Sequence, residues 1–141
     1  MGVTIGRVIL AILSLWLALV VITNLIDAGS DLGVLPQNAP FASGNYHLIV
    51  AQLAKLGFPA WIDGVLFACA IALEAAALTT LTRSTFRRSA GWEDAAFALL
   101  IAVFGGFFLF DELSGAFAME AVHRDMVAFV AVLYLVVRTD R

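Results

Sequence analysis

Four apolar stretches, separated by short polar hinges and with nearly all of the arginine on one side of them, constrain this chain more than any other feature. The runs at about 5–25, 59–81, 92–113 and 116–137 each approach the roughly 20 residues that a helix needs to cross a hydrocarbon core. The pattern predicts an all-α membrane protein, with four transmembrane helices in an antiparallel bundle forming a single domain over 1–141. Composition agrees. Hydrophobic residues make up 62% of the chain and charged ones 13%, whereas a soluble domain carries about a quarter charged residues.

The first apolar stretch is read as a retained helix and not as a signal peptide. Arg7 is followed by the uncharged run Val8–Ile26, longer than the roughly 7–15 residues of a signal core. The exit, Asp27-Ala28-Gly29-Ser30, offers no A-x-A-like cleavage site. The only long connection, 29–58, begins loop-like and ends in a stretch, Asn45–Leu56, that reads as a short helix. Ile49, Leu53 and Leu56 share one face of it and Leu48, Gln52 and Lys55 another, the pattern of a helix lying in the membrane interface.

Charge sets the orientation. With the N-terminus inside, the inner side holds Arg7, Arg83, Arg87, Arg88, Arg138 and Arg141, and the outer side only Lys55 and Arg124. That is the positive-inside bias. It predicts a multi-pass protein of the inner (plasma) membrane with both termini cytoplasmic. Glu93 and Asp94 open the third helix, where the positive end of its dipole favours them. The net charge of −3 and the absence of a basic run leave nothing for nucleic acid. The single cysteine, Cys69, falls within the second span, so no intrachain disulfide forms.

Small residues are placed for close helix approach. Ala68, Ala72 and Ala76 recur every four residues, and Gly105-Gly106 interrupt the third helix. Such stripes let backbones meet in lipid, either within the bundle or between copies in a homo-oligomer.

Several polar residues need a reason. Glu74 lies well inside the second span, and centring an acid there costs about 2.5–3.5 kcal/mol on insertion scales. Asp63 precedes it by three turns on nearly the same face, about 16 Å away at 1.5 Å per residue. Three uses of Glu74 compete: a protonated interhelical hydrogen bond, a proton relay with Ser14, Thr79 or Thr80, and contact with a cofactor or lipid headgroup. At the outer end Asn24, Asp27 and Asp31 share a face. Asp111 and Glu112 end the third helix, and Glu120, His123, Arg124 and Asp125 begin the fourth. Arg124, alone among these acids, is expected to be an ion-pair hub for Glu120 and one of Asp63, Asp111 or Glu112.

Glu120-x-x-His123 has the i, i+3 spacing found in di-iron carboxylate bundles, but it occurs only once. A mononuclear metal site from His47, His123 and Glu120 is the form left open. A haem would need the same two histidines, His47 and His123. The outer aromatics, among them Tyr46, Phe107 and Phe110, can line a quinone or lipid-tail cleft beside His47 and Asp63, or form packing and an interfacial belt. No Walker loop, G-x-S-x-G, H-E-x-x-H or C-x-x-C is present. Hydrolase and kinase chemistry therefore have no support.

The run Asn24-Leu25-Ile26-Asp27-Ala28-Gly29-Ser30-Asp31, the Phe58-Pro59 pair before the second span and the acid in Ile71-Ala72-Leu73-Glu74-Ala75 resemble the small integral membrane proteins of the domain-of-unknown-function 2165 family. The resemblance covers about the first 80 residues. It lacks that family's Met-Asp-Thr segment before the Phe-Pro and its tryptophan-rich final outer loop, replaced here by Ser114-Gly115-Ala116. It implies four helices and draws attention to Asn24, Asp27 and Glu74, without an activity. Two classes of function follow. One is a non-catalytic accessory, assembly or oligomeric module, working as a homo-oligomer or within a larger membrane complex. The other is a redox- or proton-linked subunit binding a quinone, haem or metal near its outer face.

Overall fold

The computed structural model describes residues 4–140; Arg141, counted above among the inner cations, lies outside them. The described residues form five helices: α1 Ile5–Asp31, α2 Asn45–Lys55, α3 Trp61–Phe86, α4 Ala90–Ser114 and α5 Phe117–Thr139. Three of them, α1, α3 and α4, are long and apolar enough to cross a membrane. α5 has 23 residues, but Glu120, Arg124 and Asp125 crowd its first third and leave a shorter apolar run behind them.

The helices outrun the apolar stretches. α1 has 27 residues, about 40 Å at 1.5 Å per residue, against a hydrocarbon core of about 30 Å. The extra turns come from the polar run after Leu25, where Asn24, Asp27 and Ser30 continue the buried face of Leu10, Leu13, Leu17 and Val21. Hydropathy ends at the membrane surface; backbone hydrogen bonding does not. Local signals close the ends. The Thr4 and Ser89 side chains accept from the backbone N–H of Arg7 and Trp92 and cap α1 and α4. Gly115, at φ +69°, takes the left-handed conformation that ends α4 in a tight turn into α5.

α1 packs on α3 and α5, α4 packs on α3 and α5, and α2 lies against α1, α3 and α4. The main core joins Leu10, Leu13, Leu17, Leu81, Phe97, Leu100 and Val130. A second, smaller one seats α2 through Ile49 and Leu53 on Phe67 of α3. The buried face of α2 includes Gln52, and Leu56 is exposed; the face expected from apolarity alone is rotated by its polar contacts.

The small residues do not form an internal seam. Ala68, Ala72 and Ala76 are exposed, because Phe67, Glu74, Ala77 and Leu81 take the inward face of α3. Gly105-Gly106 do not interrupt their helix either: α4 runs through them, and a Cβ at either would meet open space.

Both described ends of the chain meet at one pole. The Gly6 N–H donates to Asp140 Oδ2 at 2.7 Å, so the residue after α5 caps the first turn of α1. Arg88, in the α3–α4 connection, completes the knot. Its Nε reaches Glu93 Oε1 at 2.8 Å, its Nη1 reaches Thr4 Oγ1 at 3.1 Å and Asp140 Oδ2 at 3.2 Å, and its Nη2 reaches the Val137 carbonyl at 2.9 Å. The Glu93 carboxylate, above all, raises the pKa of the Arg88 guanidinium. Nearby, Arg83 stacks on the Trp92 ring at 4.6 Å, and Arg138 pairs with Asp94 at 2.9 Å.

Candidate functional site

The opposite pole gathers most of the polar residues singled out in the sequence. α1 delivers Asn24 and Asp27, both buried, at the end of its inward face. Asn24 Nδ2 donates to Glu74 Oε2 at 2.8 Å, and Asn24 Oδ1 accepts from Asn45 Nδ2 at 2.8 Å. Two amides therefore link the acid in the middle of α3 to the first residue of α2. Asp27 accepts from the Tyr46 N–H at 2.8 Å and from Ser43 Oγ at 3.0 Å through one oxygen. It caps the N-terminus of α2 from another helix, doing what Gly44, which has no side chain, leaves undone.

Asp63 is buried one turn into α3. It does not join Glu74 in a common bond; it sits near Tyr46. Burial first, then the Asp31 and Asp63 carboxylates, push the Tyr46 phenol up. The relay partners expected for Glu74 do not reach it. Thr79 and Thr80 donate to carbonyls of their own helix, and Ser14 bonds to Leu10 and Thr85.

A second group faces the first. Asp111, 3% exposed at the end of α4, accepts from Gln52 Nε2 at 3.1 Å through Oδ1 and pairs with His123 Nδ1 at 2.5 Å through Oδ2. His123 is fixed from its faces as well. It stacks on Phe107 at 5.2 Å and on Phe104 at 6.5 Å between ring centroids. Aromatic walls and a carboxylate on Nδ1 hold the imidazole in one orientation, leaving Nε2 as its remaining polar atom.

The expected hub around Arg124 takes another form. Arg124 is 60% exposed and lies 3.6 Å from Glu120 and 3.7 Å from Asp125. Asp111 goes to His123 and Gln52 instead, and Glu112 is exposed. Arg124 stands on the outer side of α5, whereas Asp111 turns inward with the buried face of α4. The metal set is not assembled. His47 is exposed on α2, His123 is inside with Asp111, and the described residues contain no group of three or more His, Cys, Asp or Glu side chains able to hold a metal ion.

Two cavities adjoin this network. A small one, about 60 Å³, lies between the two polar groups and is lined by Asn24, Asn45, Gln52, Asp111, His123 and Phe110, among others. An apolar one of about 220 Å³ between α3 and α4 is walled by Cys69, Leu73, Ala102, Gly106 and Phe107. Ile49, Ala70, Phe107 and Phe110 line both, so the polar cavity lies directly beside the apolar cleft.

Asn45, Gln52 and the Asp111–His123 pair were not singled out as a unit by sequence reading. Gln52 reads in the sequence as part of the face with Leu48 and Lys55, and the structure buries it beside Ile49 and Leu53 instead. Comparison with known protein families, with characterised proteins and with solved structures finds no match to this chain.

Proposed function

We propose that this chain is a non-catalytic membrane module, an accessory or assembly subunit that works as an oligomer or within a larger membrane complex. Its four long helices span the inner membrane as a bundle with both termini cytoplasmic. The arginine distribution supports that orientation, and α5 completes the fourth span once its charged first third is placed at the outer surface. α2 then lies at the outer interface.

The observation that carries the accessory reading is how the buried acids are used. Glu74, Asp27 and Asp111 each bond to a group on another helix. They stitch helices together and close the outer cap. Meanwhile Ala68 and Ala72 of α3 face outward beside a groove of about 430 Å³ that Val21 and Leu25 of α1 also line. A transmembrane helix from a partner or a second copy approaches such a surface closely. Asn24 and Glu74 are directly bonded, and Asp27 holds the helix that Asn24 contacts through Asn45. Blue-native electrophoresis of mildly extracted membranes tests the proposal. Migration as a complex is the expected result; a bare monomer contradicts it.

One observation favours the second reading, a redox- or proton-linked subunit. It is the Asp111–His123 pair beside a cavity, which suits a quinone better than a metal or haem because His47 stands apart.

A further inference from the structure

We propose that the cleft between α3 and α4 binds a neutral, flat, oxygenated amphiphile of the isoprenoid-quinone class, with one ring oxygen reaching the polar cavity at His123. This rests on the second reading above, which it deepens, and is testable separately from the accessory role.

The shape of the site is graded. The larger cavity is walled by aliphatic and aromatic side chains, and the smaller one beside it is lined by the amides of Asn24, Asn45 and Gln52, the Asp111 carboxylate and the His123 imidazole. A ligand matching that gradient has an apolar body and a single polar end. Phe107 and Phe110 line both parts, and flat ring faces favour a flat ring between them. The polar cavity alone, about 60 Å³, admits an oxygen substituent and not a whole headgroup. The ring itself therefore occupies the apolar part, and any tail leaves through the open side of the cleft.

Charge selects the class. The one anion lining the polar cavity, Asp111, is already paired with His123, and no lysine or arginine lines either cavity. A phosphate or carboxylate headgroup would find no cation there and would face Asp111. A carbonyl or hydroxyl oxygen, by contrast, matches what remains: the His123 Nε2 and amide groups of Asn and Gln. With Nδ1–H donating to Asp111, Nε2 of the neutral ring accepts from a ligand hydroxyl, as in the hydroquinone form, while a ligand carbonyl takes the remaining amide hydrogens of Asn and Gln. α2 forms the roof through Ile49 and Gln52, so binding is coupled to how firmly α2 is seated.

Cys69, the only cysteine in the chain, lines the apolar part and is exposed there, which provides a direct probe. The protein in nanodiscs is labelled with N-ethylmaleimide in the presence of a fully ring-substituted, short-tailed benzoquinone, which does not itself add thiols. The proposal expects labelling of Cys69 to slow about tenfold at saturating quinone, with no slowing from added phospholipid. His123→Phe keeps the aromatic stacking and removes the polar handle; losing the hydroxyl-to-Nε2 hydrogen bond should weaken protection by the corresponding hydroquinone about tenfold. Ala102→Leu, at an exposed cleft position away from the polar network, narrows the cavity and should abolish protection even if His123→Phe fails to fold. Equal protection by phospholipid, no protection by quinone, or full protection retained in Ala102→Leu would each overturn the proposal.

Discussion

Asn24 Nδ2 donates to Glu74 Oε2 at 2.8 Å, and this bond joins the end of the buried face of α1 to the middle of α3. It makes the two residues unequal. Removing Glu74 removes a buried acid together with its bond, whereas removing Asn24 leaves the acid in place without a donor. Asn24→Leu is therefore expected to destabilise by about 1–3 kcal/mol. Glu74→Leu leaves only the uncharged Asn24 amide short of an acceptor and should lose less, about 1 kcal/mol, and Glu74→Gln should be near neutral. Thermal unfolding of the detergent-solubilised variants checks the order. Equal losses for Asn24→Leu and Glu74→Leu would sink the interpretation of the pair as glue.

The pole where the chain ends meet is expected to be the more sensitive one. A Cβ on Gly6 would come within 2.8 Å of both Arg88 Nη1 and Asp140 Oδ2, so both side-chain ends must shift and loosen the contact that caps α1. Gly6→Ala should destabilise by about 1–3 kcal/mol through overpacking. Arg88→Met should lose about 1.5–3 kcal/mol, because it removes the charge-assisted bonds to Glu93 and to the Val137 carbonyl. Arg124→Ala, at an exposed pair, should lose less than about 1 kcal/mol. Chemical unfolding in mixed micelles ranks the three, and an Arg124→Ala loss as large as that of Arg88→Met would contradict the assignment of the hub.

The same pole carries a pH dependence. The Thr4 hydroxyl, the Gly6 N–H and the Arg88 guanidinium hold the Asp140 carboxyl below its ordinary value of 3.8. A lowered folded-state pKa means the stabilisation is fully present above the unfolded value and is lost as pH falls through the folded one. Protection of the Gly6 amide from exchange should thus persist at neutral pH and fade below about pH 4. In Asp140→Asn that acid-dependent step should disappear.

At the other pole, Asp27 should govern α2 and little else. Asp27→Ala removes the acceptor of the Tyr46 N–H, a capping loss of about 0.5–2 kcal/mol. Hydrogen exchange should speed up in the first turn of α2 and leave the amides of α1, α3, α4 and α5 unchanged. Uniform acceleration across the chain would show that Asp27 supports the whole fold instead.

The apolar runs made the long helices and the short helix in the first connection legible in the sequence, because hydrophobic length and period depend on neighbouring residues alone. They did not reveal where α1 stops, since the connection reads as loop from Gly29 on while the helix runs to Asp31 with Ser30 buried. Arg88 read as one more inner cation beside Arg87; its bonds to Thr4, Glu93 and Asp140 join three segments that only the packing brings together. Arg124 attracted the acids on paper because it is the cation closest to them in sequence. Packing instead turned Asp111 inward, where an imidazole held between two phenylalanines was the available partner. Which face of α3 carries the alanines was equally illegible, because Phe67 and Leu81 competed with them for the interior.

The most direct test of the central claim is native mass spectrometry of the protein extracted gently from its own membranes. The account predicts a defined multiple of the 15.1 kDa chain, or the chain held within a larger complex, and an assembly that survives Glu74→Gln. A lone 15.1 kDa chain under conditions that preserve other membrane complexes would contradict it.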